Sequence, residues 1–226
     1  MSDDLVTWRD LPVALKPTPG DPDQDGCWSG SAVIDNGTPT LIYTGAAYTV
    51  PVEEYRGGRD AVQTVCLATS QDGMMTWEKD SRNPVISEPP SDLSVSPEGF
   101  RDPYVWRQDD HWEMAIGTGI AGKGGAVLLY RSPDLRDWQY VGPLFTDSQY
   151  GPFFECPSLF PLADKHVLTF AQAGAGRSRY VVGTYADHQF TPEGSGLLDA
   201  GPVYAPQVII DRRGRCLLFT WIWEGG

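Results

Sequence analysis

The chain has 226 residues with a formal net charge of −13, and it carries 25 glycines and 19 prolines. That length suits one large domain with a real core. The acidic balance argues against nucleic acid or an anionic membrane as partner, because phosphate binding needs clustered Lys and Arg. Turn-rich composition, aromatics at 12% and no long apolar helical pattern point to many short strands. No run approaches the roughly 18 apolar residues of a membrane span.

The N-terminal "MSDDLVTWRDLPV" lacks the basic and apolar regions of a secretory signal, which favours a cytoplasmic location for the chain as given. Within it, "SDDLVTW" ends at Trp8. "GDPDQDG" over 20–26 reads as a linker, so its Asp21 is set aside as a nucleophile. "WSGSAVID" from Trp28 is the first predicted strand, and Asn36-Gly37 is first of all a hairpin turn, although Asn36-Gly37-Thr38 also matches a glycosylation sequon. "TPTLIYTGA" follows, then the polar loop "EEYRGGRD", placed to line the mouth of a site. "VQTVCLATS" is next, and "SQDGMMTW" closes at Trp77.

The same order then begins again. "RDPYVWRQ" from Arg101, "HWEMAIGTG" and "GAVLLYRS" lead to "SPDLRDW", which closes at Trp138. A third pass runs "ECPSLFPL" from Glu155, "KHVLTFAQA" and "YVVGTYAD", with a worn close "ADHQF" at Phe190. A fourth starts with "YAPQVIID" from Tyr204 and "RCLLFTWIW". In the closing signature, Ser and Asp oxygens bond nearby backbone amides and the aromatic packs between units.

A repeat of about fifty to seventy residues holding four strands reads as a propeller blade. The predicted fold is therefore all-β and a partial β-propeller: the end of one blade, three whole blades and the start of another, in one incomplete domain over 1–226. A propeller closes on itself to hide its sheet edges, so open blade edges make self-association an expectation.

The innermost strand of each blade lines a central funnel. By the repeat register, Trp28, Arg101, Glu155 and Tyr204 share one position there. An Asp-Pro pair or an Arg-Asp pair alone is an ordinary turn; the shared register is what favours a site. Two carboxyl groups on such a pocket can split into an acid and an ionised partner, as glycoside hydrolysis requires. The pattern alone makes Asp102 the nucleophile and Glu155 the acid. Arg101 should keep Asp102 ionised, while Phe153, Phe154 and Cys156 should give Glu155 an apolar setting that raises its pKa.

Other signals are declined. "GTGIAG" over 117–122 matches a dinucleotide fingerprint, but a turn and strand follow it, not a helix. Cys27, Cys66, Cys156 and Cys216 stand singly, without zinc-ligand spacing, and read as reduced thiols. His111, His166 and His188 are isolated at strand edges or turns and read as surface residues, so no metal is expected.

These motifs resemble glycoside hydrolase family 32, the family of invertases, sucrose-6-phosphate hydrolases, levanases and fructan hydrolases. "DLVTWRDLPVALKPT", "DQDGCWSGSAV", "FRDP", "EC" and "YAPQ" occur here in family order through nearly the whole chain. The resemblance implies a five-bladed propeller followed by a β-sandwich, of which this chain would carry the end of blade 1, blades 2–4 and the start of blade 5. It also reassigns the roles. Asp102, helped by Arg101, would hold fructose hydroxyls and stabilise the transition state. Glu155 would be the general acid/base, with Cys156 tuning it. Trp28 and Ser29 match an aromatic-Ser position at the sugar site. Asp199 matches an Asp that contacts substrate in some members, although Pro202 departs from the polar residue often found three positions later. Tyr204 and Gln207 are further substrate-binding candidates, with packing the rival reading.

The family's nucleophile is the Asp of an N-D-P-N-G motif, which would precede Met1, so this chain is expected to be inactive alone. The implied reaction is retaining hydrolysis of terminal β-D-fructofuranosides, with sucrose or a fructan as partner and no cofactor. The rival readings are a sugar-binding propeller piece without turnover and a scaffold or gene fragment.

Overall fold

Strand ends are set by turn chemistry. Asn36 and Gly37, with φ of 47° and 86°, supply the two left-handed residues of the tight hairpin turn favoured between twisted strands. They join β1 (Gly26–Asp35) to β2 (Thr38–Tyr48), which pairs with β3 (Ala61–Thr69) and then the short β4 (Glu78–Lys79). A second antiparallel sheet follows in chain order: β5 (Arg101–Gln108), β6 (His111–Ile120), β7 (Gly124–Ser132) and β8 (Gln139–Asp147). A third comprises β9 (Phe154–Leu162), β10 (Lys165–Gln172), β11 (Arg177–Ala186) and β12 (Gln189–Leu197). The hairpin of β13 (Val203–Ile210) and β14 (Cys216–Ile222) completes the set.

This computed structural model describes residues 1–211 and 213–222. Among them no α-helix occurs, hence none long and apolar enough to cross a membrane. The architecture is a partial β-propeller, with three four-stranded blades and the opening hairpin of another. Trp223, read as part of the last strand, lies outside the described residues. Residues 117–122 run from β6 into a turn before β7, where a dinucleotide fingerprint would need a helix.

The repeated closing signature is a repeated structure. Asp4 Oδ1 accepts the amides of Val6 and Thr7 at 2.8 and 2.7 Å. Asp72 Oδ1 accepts those of Met75 and Thr76 at 3.1 and 2.9 Å. Asp134 Oδ1 accepts those of Arg136 and Asp137 at 2.9 and 2.8 Å. Each turn passes through the left-handed region, at Leu5 in the first, at Gly73 and Met74 in the second and at Leu135 in the third. Trp138 then packs on the core between the first two blades, and Trp77 packs against the cluster of Tyr43, Cys66 and Ala68. Trp8 differs: it is 56% exposed, and residues 9–25 form no strand.

That leading stretch is held by buried charge instead. Asp23, 1% exposed, accepts from Tyr43 Oη at 2.7 Å and pairs with Lys79 Nζ at 2.6 Å. Lys79 also donates to the Lys16 carbonyl and to Thr18 Oγ1. Asp25 accepts the Tyr48 amide at 2.7 Å. The aspartates of "GDPDQDG" thus pin a linker, and Asp21 beside them is exposed.

The core lies between blades. Ile42, Val65 and Leu67 of the first blade meet Met114, Ile116 and Leu128 of the second. Ala115, Val127 and Leu129, on the opposite face of that second sheet, meet Phe154, Leu168 and Phe170 of the third. Alternate residues face opposite sides of a strand, and here both sides are covered, which is why β6 and β7 read as near-continuous apolar runs. Phe154 is fully buried and stacks on Phe170 at 4.0 Å. Phe154→Ala should therefore cost about 3–5 kcal/mol, read as a lower urea midpoint; a change under about 1 kcal/mol would exclude Phe154 as a centre of this packing.

Candidate active site

Every inner strand begins with a register fault at the same place. The pairing slips between Trp28 and Gly30, between Arg101 and Tyr104, between Glu155 and Ser158 opposite Ala171 and Thr169, and between Tyr204 and Gln207. In three of the four the extra residue is left-handed and precedes a proline: Asp102 (φ 61°), Cys156 (φ 49°) and Ala205 (φ 52°). Such bulges re-aim the neighbouring side chain. The residue before each bulge is turned toward the neighbouring blade, and these four form a chain of contacts.

Arg101 is the centre of that chain. Its Nη2 bonds Glu155 Oε1, and its Nη1 donates to the Glu98 carbonyl at 2.7 Å and to Gln63 Oε1 at 3.3 Å. The guanidinium lies 4.6 Å over the Phe153 ring and 5.9 Å from that of Trp28, within cation–π range. On the other side of Glu155, Tyr204 Oη donates to Oε2. Trp28, Arg101, Glu155 and Tyr204 therefore run in line across four neighbouring inner strands. Burial works against the Arg101 charge, but the Asp102 and Glu155 carboxylates outweigh it and raise its pKa. Burial, then the bond to Glu155, raises the Tyr204 phenol, so it remains a donor.

Asp102 ties three blades together. Its amide donates to Thr44 Oγ1 at 2.9 Å, and its carboxylate accepts the Cys156 amide at 2.9 Å. Arg101 Nε lies 3.9 Å from the same carboxylate oxygen. Burial nevertheless dominates and pushes the Asp102 carboxyl up to about 6, so Arg101, expected to keep Asp102 ionised, offsets only part of the loss of water and does so only above that pH. Burial and the adjacent Asp102 hold the Cys156 thiol well above its ordinary value, so it is a packed donor to Asp102 and no nucleophile.

The expected apolar setting of Glu155 is also corrected. Phe154 points into the core and Phe153 lies under Arg101, while a cation and a phenol occupy the two Glu155 oxygens. Ser29 is exposed, and its carbonyl accepts from Thr44 Oγ1 at 3.0 Å. Asp199 is exposed and caps the Gly201 amide at 2.6 Å. Gln207 is half-buried on β13, opposite Phe219. Among the described residues, no recorded bond or ion pair joins Ser29, Asp199 or Gln207 to the Arg101–Glu155 pair.

Sequence reasoning missed the support beneath Arg101. Gln63 is buried on β3; its amide donates to the Gly58 and Glu98 carbonyls and its oxygen accepts the Phe100 amide. A lone amide in an apolar strand was the available signal, since buried polar groups need partners. A Cβ on Gly58 would overlap the Glu98 carbonyl and the Arg101 guanidinium. In the "EEYRGGRD" loop, Tyr55 stacks on Tyr48 at 4.6 Å and meets Trp28 edge-on at 6.3 Å, extending an aromatic wall. The three histidines, read as isolated, gather instead at the other end of β6.

Residues 1–225 match the profile of the glycosyl hydrolases family 32 N-terminal domain. Sucrose-6-phosphate hydrolase from Escherichia coli is 37% identical over 99% of this chain and 48% of its own length. An insoluble-isoenzyme beta-fructofuranosidase of Oryza sativa is 32% identical over 98% of this chain and 40% of its own. Among solved structures, the GH32 beta-fructofuranosidase of Bombyx mori superposes with a TM-score of 0.79 at 31% identity, over 96% of this chain and 46% of that one. A mutant of that enzyme, solved in complex with sucrose, gives 0.78. The chain spans about half the length of the curated relatives it matches.

The raised Asp102 pKa has a measurable sign. Its stabilising proton is fully held below the ordinary 3.8 and is lost as pH rises through about 6. Across that window the folded state keeps a proton the unfolded state has released, so stability should fall by on the order of 3 kcal/mol as pH rises. Asp102→Asn should flatten this part of a urea-unfolding profile against pH. An unchanged slope would assign the window to another group.

Proposed function

Because the chain belongs to glycosyl hydrolases family 32, we propose that it forms the acid-bearing part of a retaining hydrolase for terminal β-D-fructofuranosides such as sucrose or a fructan. The observation that carries this reading is Glu155 held between Arg101 and Tyr204, with Asp102 on the adjacent inner strand. Residues 1–226 are read as one incomplete catalytic domain.

Glu155 protonates the oxygen leaving the anomeric carbon as the C–O bond breaks, while a nucleophilic carboxylate bonds to that carbon. Glu155 then takes a proton from the water that releases fructose. Retention asks for nucleophile and acid carboxyls roughly 5–5.5 Å apart. Asp102 holds fructose hydroxyls and balances the positive charge developing on the sugar ring, and Arg101 fixes both carboxylates in place. Trp28 and Ser29 wall one side of the ring; Tyr204, Gln207 and Asp199 wall the other. Cys156 positions Asp102 through its amide.

The sequence of residues 1–226 contains no N-D-P-N-G motif, and this favours one rival, a piece that holds sugar without turnover. The purified 226-residue chain should hydrolyse neither sucrose nor inulin, whereas a form extended upstream through such a motif should hydrolyse one of them. Turnover by residues 1–226 alone would overturn the assignment of the nucleophile. In an active form, Glu155→Gln should lower kcat by about 10²–10⁴ with KM little changed; an unaltered kcat would remove Glu155 as acid/base.

Self-association is proposed on the last hairpin. Among the described residues β14 pairs only with β13, and Trp221 and Ile222 are 72% and 73% exposed. Light scattering after gel filtration should give masses above 24.8 kDa that fall on Trp221→Lys; a strictly monomeric chain would refute this.

A further inference from the structure

Roughly 20 Å from Arg101, at the far end of β5 and β6 by strand rise, the blades of β5–β8 and β9–β12 meet over a buried carboxylate. Glu113 is fully buried, yet no Lys or Arg is paired with it among the described residues. His111 and Glu113 sit two apart on β6 and so share a face. His188 arrives from the turn between β11 and β12, where Asp187 and His188 are both left-handed. The donor atoms of His111, Glu113 and His188 lie within 4.8 Å of one another.

We propose that His111, Glu113 and His188 form a binding site for a zinc-like divalent transition-metal ion that clips these two blades together. The hydrogen bonding already sorts the donors. A neutral His111 that donates from Nδ1 to Asp110 Oδ1 at 3.2 Å keeps its Nε2 lone pair toward Glu113 Oε1 at 3.6 Å. That Nε2 is buried with no hydrogen-bond partner, so two acceptors confront each other across a gap that a cation would fill. Asp110–His111 is the carboxylate–histidine arrangement that orients metal-ligating imidazoles. Tyr185 Oη donates to Glu113 Oε2 at 2.8 Å and fixes the carboxylate, leaving Oε1 for the ion.

His188 Nδ1 lies 2.6 Å from the same Oε1. Metal binding replaces the proton between them; that proton moves through solvent to His188 Nε2, and no redox change is involved. Two imidazoles and one carboxylate are a donor set zinc accepts, with metal–ligand distances of about 2.0–2.2 Å. Those distances put donors about 3.3–3.5 Å apart, so His188 opens from Glu113 while His111 barely moves. The fourth position faces a 240 Å³ cleft lined also by Gln108, His166 and Asp187, where water completes the tetrahedron. The ion joins β6 to the β11–β12 turn, a role in stability with no contact to Glu155.

The test is zinc titration of the purified chain. We expect one equivalent bound and a Tm raised by about 5–10 °C at free zinc about 100-fold above Kd. His111→Gln with His188→Asn should abolish both effects. His166→Gln should keep them, as should Cys27→Ser with Cys216→Ser, which removes the two half-buried thiols. Cobalt substitution of the unaltered chain reads the site without any variant: tetrahedral d–d bands lacking sulfur-to-cobalt charge transfer are expected. No binding, binding that survives the double histidine change, or thiolate charge transfer would each overturn the site.

Discussion

A left-handed residue placed immediately before a proline governs the geometry of this protein. Asp102, Cys156 and Ala205 hold that conformation at the head of successive inner strands, at a cost of about 1–2 kcal/mol each for a residue with a Cβ. Proline after the bulge lacks an amide, and the ladder is interrupted there in any case, so the sheet loses little. In return the bulge turns one side chain per blade toward its neighbour. Arg101 reaches Glu155, and Tyr204 reaches the same carboxylate from the next blade. Without the three bulges a regular ladder would send those side chains along the pleat, and no shared pocket would form.

The same bulges couple the site to the core. Phe154 is buried between blades while Glu155, the next residue, faces the funnel. Asp102 donates its amide to Thr44 on one side and accepts the Cys156 amide on the other. A carboxylate removed this far from water keeps its charge only through partners fixed by packing. Small shifts between blades therefore move charge and geometry together, and Gln63 and Gly58 limit such shifts by fixing the segment under Arg101.

Much of this was legible because blades repeat. R-D-P, E-C-P and Y-A-P put different first residues ahead of the same proline, so register alone placed Arg101, Glu155 and Tyr204 in one ring. Ser70–Asp72 and Ser132–Asp134 announced their turns through chemistry confined to a few residues. What stayed hidden depends on partners distant in sequence. Gln63 reaches Phe100 across 37 residues, and His188 reaches Glu113 across 75; no local pattern marks either pairing. The balance at Asp102 was hidden too, because an adjacent arginine is visible in sequence and the loss of water is not.

The bond from the Cys156 amide to Asp102 spans 54 residues of chain, and this sets an order in time. Translation proceeds from the N-terminus at about 5–20 residues per second, so Asp102 emerges roughly 3–11 s before the group that satisfies it. The strands β5 to β8 form one sheet and can zip in that interval, but their inner edge must keep Asp102 hydrated until the next blade arrives. A nascent chain stalled in that interval would leave Ala115, Val127 and Leu129 open to water, the face that Phe154, Leu168 and Phe170 later cover.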